Sequence, residues 1–246
     1  MITPIPVLHY DTIDSTNSEA RRLWEQGEVG PIWIVSDAQT AGQGRLGRQW
    51  HSKPGNLYST LLFPLGSDQS KAGQIGFVAA LAVHDVASSF IKNMPITLKW
   101  PNDCLLGGAK FCGILSETIS QSPPAMALGI GMNIAHTPEN MPYATACLSA
   151  HAPQVTVKAT HEVLSSRLQY WLQVWARGAN FPAIKTAWET HALNINQPVS
   201  VDTGAAIRHG IFKGLNEDGA MILIQEDGTE ITIYAGDVRA TNHQEK

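Results

Sequence analysis

Between residues 32 and 194 the apolar residues follow two different periods. Five short runs rich in β-branched and aromatic residues predict strands at residues 32–36, 57–63, 96–100, 111–118 and 125–134. Apolar residues at helical spacing predict helices at residues 71–91, 158–177 and 181–191. Because strands and helices interleave, the pattern predicts an α+β protein.

After Leu193 the pattern changes to short alternating strands. These are predicted at residues 199–202, 205–213, 220–225 and 230–234, and the turns at residues 216–219 and 226–228 have hairpin composition. A segment of about 50 residues buries little core of its own. We therefore predict two domains, residues 1–194 and a small C-terminal β-barrel of residues 195–246 docked on the first.

Composition excludes several classes of protein. With 246 residues and 43% hydrophobic positions, the chain is neither a disordered tail nor a disulfide-stapled miniprotein. Only 15% of the residues are charged and the net charge is −4, so duplex DNA and RNA are poor candidate partners. The three cysteines have neither metal-site nor disulfide-framework spacing, and free thiols suit the cytoplasm. We expect no signal peptide and no membrane span.

The first candidate site is a glycine-rich segment, residues 42–48, which we call the arginine loop. It holds three glycines together with Arg45 and Arg48, and no acidic residue occurs between Asp37 and Asp68. The spacing fits neither a dinucleotide fingerprint nor a P-loop. Two interpretations stay open, an ordinary surface connection and an anion site in which forked guanidinium donors meet phosphate.

A second candidate site follows the strand that ends at Trp100. The run from Lys99 to Asp103 enters a turn, and Lys110 begins the next apolar strand. A hairpin with solvated lysines explains the composition. Alternatively, a partly desolvated Lys110 at the edge of the core could neutralise charge that builds on a phosphate.

Two further segments carry both structural and functional interpretations. Thr16 and Glu19 have capping-box spacing, which predicts a helix start, and free amides at a helix start also suit a polar ligand group. The strand that contains Gly129 and Gly131 indicates either a bulge or the close approach of a ligand to the backbone.

Taken together, five segments resemble the biotin protein ligases in order and spacing. They are Asp14-Ser15-Thr16-Asn17, the arginine loop with Trp50, Lys99-Trp100-Pro101-Asn102-Asp103, Lys110 with Gly113-Ile114-Leu115, and Gly131-Met132-Asn133. The resemblance covers nearly the whole chain, since residues 196–199 and the strands after them look like the small C-terminal Src-homology-type barrel of that family. It implies a mixed-sheet catalytic domain of the class II synthetase-like biotin/lipoate ligase type.

The resemblance also implies a reaction and a set of site residues. Biotin would react with ATP to give biotinyl-5′-AMP and pyrophosphate, and biotin would then pass to a lysine of a biotin carboxyl carrier protein such as that of acetyl-CoA carboxylase. The residues expected to bind biotin are Ser15, Thr16, Asn17, Gln39, Gln43, Gly44, Arg45, Lys110 and Gly113. Those expected to bind the nucleotide are Arg45, Arg48, Trp50 (as a wall for adenine), Lys99, Asn102 and Asn133, with Asp103 as a ligand of the Mg²⁺ that accompanies ATP. Lys110, Arg45 and Arg48 are the expected catalytic residues, and no tightly bound cofactor is expected.

The chain departs from the family pattern at two places. Gln43 stands where many relatives have an arginine, so one phosphate-directed charge is missing or is supplied by Lys53. The C-terminal end near Arg239 is shorter than in some relatives, which leaves a triphosphate role for that residue open. Only about a dozen residues precede Ser15, so we expect no DNA-binding repressor domain of the kind some relatives carry.

The sequence alone leaves three questions open. A lipoate or octanoate ligase of related fold is the enzymatic alternative, and a biotin-binding sensor without transfer activity is the alternative from another class. The oligomeric state, a homodimer included, is not given by the sequence.

Overall fold

The computed structural model describes residues 3–66 and 68–241, and this part of the chain forms four α-helices and twelve β-strands in two sheets. The helices are α1 (Thr16–Glu25), α2 (Ile75–Phe90), α3 (Val157–Trp175) and α4 (Phe181–His191). The α+β class is confirmed.

The first sheet has seven strands. They are β1 (Val7–Ile13), β2 (Ile32–Gln39), β3 (Leu57–Pro64), β4 (Ile96–Lys99), β5 (Asp103–Leu106), β6 (Ala109–Gln121) and β7 (Pro124–Met132). Their spatial order is β1-β2-β3-β7-β6-β5-β4. Only β1 and β2 pair in parallel, so this described sheet is mixed, with β3, β7 and β6 at its centre.

The second sheet is antiparallel and follows α4. Its strands are β8 (Pro198–Asp202), β9 (Ile207–Leu215), β10 (Met221–Ile224), β11 (Glu230–Ile233) and β12 (Asp237–Ala240). The order is β11-β10-β9-β8-β12, so β12, the last strand in sequence, pairs with β8, the first strand of this sheet.

Helices cover the two faces of the first sheet unequally. The large core lies where α2, α3 and α4 pack on one face, with Trp33, Leu61 and Ile130 among its buried residues. On the other face, α1 is the one helix of the described residues that packs, through Ala20, and its apolar cluster is small. The rest of that second face is therefore available for a site.

The helix and strand predictions are confirmed with small shifts. The helix predicted from residue 71 begins at Ile75, because Gln69–Gln74 form a 3₁₀ turn before it. Three strands were missed: β1, β5 and β12. The helix start predicted from Thr16 and Glu19 is confirmed, since α1 begins at Thr16, but no capping box forms there. Ser15 is the N-cap and makes no side-chain cap bond, and the Thr16 hydroxyl bonds to Gln39 instead.

Three of the hydrogen bonds that join the second sheet and its turns to the first part of the chain lie outside the arginine loop. Trp100 Nε1 donates to the carbonyl of Gly219 at 3.2 Å, and Gln74 Nε2 donates to the carbonyl of Glu217 at 3.1 Å. The backbone N–H of buried Leu215 donates to the Glu189 carboxylate at 2.8 Å. Within the described residues, no helix has both the length and the apolar character needed to cross a membrane.

The Glu189 contact gives a test of how the second sheet is held. Glu189→Ala leaves the Leu215 N–H without a partner, which costs roughly 1–3 kcal/mol of unfolding free energy. Glu189→Gln keeps an acceptor oxygen and should cost much less. Urea unfolding of both variants measures the difference, and equal losses would show that this hydrogen bond is unimportant.

Candidate active site

A cavity of about 1170 Å³ opens on the α1 face of the first sheet. Strand register shows why space exists there. Gly129 lies between Thr60 of β3 and Leu115 of β6, and in the next row Gly131 lies between Tyr58 and Gly113. Because glycine has no side chain, the cavity is deeper along these two rows, next to the N-terminal start of α1.

The glycines are required by what lies on them. A Cβ at Gly131 would come within 2.6 Å of the Trp50 ring, and one at Gly113 within 2.9 Å of it. A Cβ at Gly129 would collide with Asn17 Oδ1. The sequence suggested a bulge or a ligand at this strand, whereas the groups that approach its backbone in the structure are the protein's own Asn17 and Trp50 side chains.

The start of α1 forms a polar pocket at one side of this floor. Ser15, Thr16 and Asn17 are 2%, 4% and 5% exposed, so their polar atoms face protein or a ligand rather than bulk water. Asn17 Nδ2 donates to Glu117 Oε2 at 2.7 Å, and Asn17 Oδ1 accepts from the Thr60 hydroxyl at 2.6 Å. The Asn17 amide is thus held in one orientation.

Gln39 links this pocket to the segment that carries Trp50. Its Oε1 accepts from the backbone N–H of Thr16 at 2.8 Å, and its Nε2 donates to Ser52 Oγ at 2.9 Å. Ser52 Oγ in turn donates to the carbonyl of Trp50 at 3.0 Å. The indole Nε1 of Trp50 is buried and has no hydrogen-bond partner within the described residues.

Lys110 lies over the floor, as the sequence predicts for a lysine at the start of an apolar strand. Its Nζ is 2.7 Å from Asp103 Oδ1, and both side chains are largely buried. The ammonium also lies 5.5 Å from the Trp50 ring centre and 5.4 Å from the Tyr143 ring centre. Two aromatic rings and a carboxylate therefore hold this cation inside the cavity.

The arginine loop supplies two more cations. Arg45 Nη1 donates to Asn102 Oδ1 at 3.0 Å, and burial lowers the pKa of this guanidinium. Asn102 itself is fixed by donating to the carbonyl of Ile114 at 3.0 Å. Arg48 pairs with Asp237 at the start of β12, and this hydrogen bond holds the pKa of the Asp237 carboxyl below its usual range.

The structure brings most of the predicted site residues into one cavity. Those that line it are Ser15, Thr16, Asn17, Gln39, Gln43, Gly44, Arg45, Arg48, Trp50, Lys99, Asn102, Asp103, Lys110 and Gly113. Asn133 does not line it, because its side-chain amide donates to the carbonyl of Ala146 and holds that segment instead. Lys53 also lies outside the lining, and its Nζ is 3.7 Å from Glu139 Oε1.

Several lining residues were not predicted. Residues 141–144 and Asp237 line the cavity, and the backbone of 144–146 is fastened to Lys110 by two hydrogen bonds. Arg239, whose role the sequence leaves open, lines it as well. Buried Thr60 supports the polar pocket from β3. Thr60 could have been found from the sequence, because a threonine inside an apolar strand is unusual. No sequence pattern marked residues 141–144 as part of a site.

Two family profiles match the chain. Residues 10–133 match the Biotin/lipoate A/B protein ligase family, and residues 195–239 match the Biotin protein ligase C terminal domain.

Individual relatives agree with these matches. The chain is 35% identical to the biotin--[acetyl-CoA-carboxylase] ligase of Paracoccus denitrificans over 231 residues, which are 89% of this chain and 94% of that protein. It is 28% identical to the bifunctional ligase/repressor BirA of Bacillus subtilis over 242 residues, covering 94% of this chain and 73% of that protein. A solved structure of the Aquifex aeolicus biotin protein ligase in complex with biotin and ATP aligns with a TM-score of 0.83 at 27% identity, over 96% of this chain and 99% of that one. With half of its length matched by one profile and most of its length shared with these relatives, the chain belongs to the biotin/lipoate A/B protein ligase family.

Proposed function

We propose that this protein is an ATP-dependent biotin protein ligase. The biotin carboxylate attacks the α-phosphorus of ATP and pyrophosphate leaves, and then a lysine amine of a biotin carboxyl carrier protein attacks the acyl carbon and AMP leaves. The observation that carries the proposal is the presence of two kinds of surface in one cavity, an oriented polar pocket at α1 and a group of cations. At about 1170 Å³, the cavity is large enough for two ligands, since single-ligand pockets run at roughly 300–1,000 Å³.

The polar pocket favours biotin over an acyl chain. A ureido ring needs both donors and acceptors, and the side chains at α1 offer both kinds of group. An apolar chain of lipoate or octanoate would exclude water from these side chains without offering them a hydrogen bond, which costs binding free energy.

The cations suit the activation step. Two anions, a carboxylate and a triphosphate, must come together before reaction, and their repulsion opposes this. Lys110 is held at the floor of the cavity, where its ammonium would bind the carboxylate and α-phosphate oxygens. Arg45 and Arg48 would bind phosphate oxygens from the arginine loop.

Magnesium is proposed to arrive with ATP as its complex. Mg²⁺ is commonly bound by one or two carboxylates together with substrate phosphates. Asp103 lines the cavity as one such carboxylate and is paired with Lys110, so the ammonium would compete with the ion. Among the described residues, the one group of three close metal-type ligands, His9, Asp11 and Asp37, is exposed and does not line this cavity.

We also propose that the protein is cytoplasmic and that its domain boundary lies at residue 194. Cys104, Cys112 and Cys147 are free thiols, which fits a reducing compartment. The first sheet ends before α4 and the second begins after it, and the two family matches fall on either side of residue 194.

The function is tested by mixing the protein with magnesium ATP and each candidate acid separately. We expect pyrophosphate release with biotin and little with lipoate or octanoate. Mass spectrometry of a carrier domain added to the biotin reaction should then show one biotinylated lysine. Release with lipoate alone would make the protein a lipoate ligase, and biotin binding without a labelled carrier would indicate a sensor.

Lys110→Ala tests the cation at the floor. We expect adenylate formation to slow by about 10²–10³-fold, the range found when a preorganised charge-stabilising group is removed. Single-turnover rapid quench measures this rate. Lys53→Ala is the control, since this lysine is exposed and outside the cavity lining. A wild-type rate in Lys110→Ala would remove Lys110 from the catalytic residues.

Thr60→Val tests the polar pocket without touching the phosphates. It removes the hydroxyl that holds Asn17 Oδ1 and keeps the volume, so Kd for biotin should rise about 5- to 30-fold while KM for ATP stays nearly constant. Thr60→Ser keeps the hydroxyl and should bind biotin almost normally. Calorimetric titration with biotin measures both variants, and an equal loss in the two would trace the effect to packing.

A further inference from the structure

Asp237 is the carboxylate that faces the cations of the arginine loop from the second sheet. It is the first residue of β12 and lines the cavity together with the three residues that follow it. Arg48 Nη1 is 3.4 Å from Asp237 Oδ1, and Arg48 Nη2 bonds Asp237 Oδ2. The two terminal nitrogens of the guanidinium therefore bind the two carboxylate oxygens. This forked geometry is the one that arginine also uses for phosphate.

Three cations act on the Asp237 carboxylate. Arg48, Arg45 and Lys99 each favour the ionised carboxylate and lower its pKa. The negative charge therefore stabilises a cluster of cations that repel one another when no phosphate is present.

The pair contributes little to the stability of the fold. The side chains of Arg48 and Asp237 are 58% and 42% exposed, and exposed ion pairs are weak. It does, however, join two parts of the chain that are 189 residues apart. We therefore expect the pair to affect the position of the arginine loop rather than the stability of the fold.

We propose that Asp237 is a positioning residue that holds Arg48, and with it the arginine loop, over the cavity whenever no phosphate occupies the guanidinium. The inference rests on the proposed function for its chemical purpose. ATP phosphates replace Asp237 at Arg48, and once pyrophosphate has left, Arg48 returns to Asp237. The loop then stays closed over the acyl adenylate, a mixed anhydride that water would otherwise hydrolyse.

Asp237→Asn tests the proposal because it removes the charge and keeps the size. The matched control is Asp202→Asn. Asp202 lies opposite Asp237 on β8, forms no ion pair within the described residues, and accepts from Gly204 N, a bond that asparagine can keep.

The first readout is hydrogen exchange in the ligand-free protein. Peptides covering residues 42–50 should exchange about threefold faster in Asp237→Asn, since an exposed pair shifts an opening equilibrium by no more than about fivefold. Asp202→Asn should exchange like wild type there, and peptides from α2 should be unchanged in both variants. High salt should move the wild-type loop toward the Asp237→Asn rate. An unchanged loop in Asp237→Asn, or an equal change in Asp202→Asn, would overturn the proposal.

A double-mutant cycle separates positioning from a structural role in β12. In an Arg48→Gln background, Asp237→Asn should not accelerate loop exchange further, because the partner is already gone. Additive acceleration would mean that Asp237 acts through the sheet alone and would also overturn the proposal.

The last readout is the adenylate itself. Dissociation and hydrolysis of preformed biotinyl-adenylate should be about threefold faster in Asp237→Asn than in Asp202→Asn. Hydrogen exchange needs no ligand, so it decides the role of Asp237 even if biotin gives no pyrophosphate. Failure of the proposed function and failure of this inference are thereby distinguished.

Discussion

The close approach of Asn17 and Trp50 to the central strands is the constraint on which the site depends. Both side chains rest where a neighbouring residue larger than glycine would place its Cβ. The three glycines occupy adjacent rows of β7 and β6, so the sheet itself determines how deep the cavity is. A side chain in either row would push the start of α1 or the Trp50 segment outward and separate the polar pocket from the cations.

Two of the cations that line the cavity are paired with carboxylates. Lys110 has Asp103 from the neighbouring strand, and Arg48 has Asp237 from the second sheet. Arg45 instead bonds a neutral amide, and burial makes its positive charge costly, as its lowered pKa shows. The two carboxylates therefore hold Lys110 and Arg48 in position, and substrate phosphates could replace them there.

Local patterns were sufficient to predict most elements but not the whole site. Helical spacing located α2, α3 and α4, and the motifs of the arginine loop and Lys110 identified residues that do meet in one cavity. Strand β5 was missed because its four residues read as a continuation of the turn after Trp100. Asp237 could not be assigned a partner from sequence, since Arg48 lies 189 positions away and only the docking of the second sheet joins them. Asn133 matched a motif, yet its side-chain amide donates to the Ala146 carbonyl and its backbone carbonyl accepts from the Leu148 N–H.

The hydrogen bonds from the Thr16 hydroxyl through Gln39 and Ser52 to the Trp50 carbonyl all point in one direction. An amide has distinct oxygen and nitrogen ends, so Gln39 sets the polarity of the whole series, and reversing one member would oppose all the others. The pocket at α1 therefore presents a ligand with a fixed arrangement of donors and acceptors. It can distinguish two molecules of the same shape by the order of their polar atoms alone.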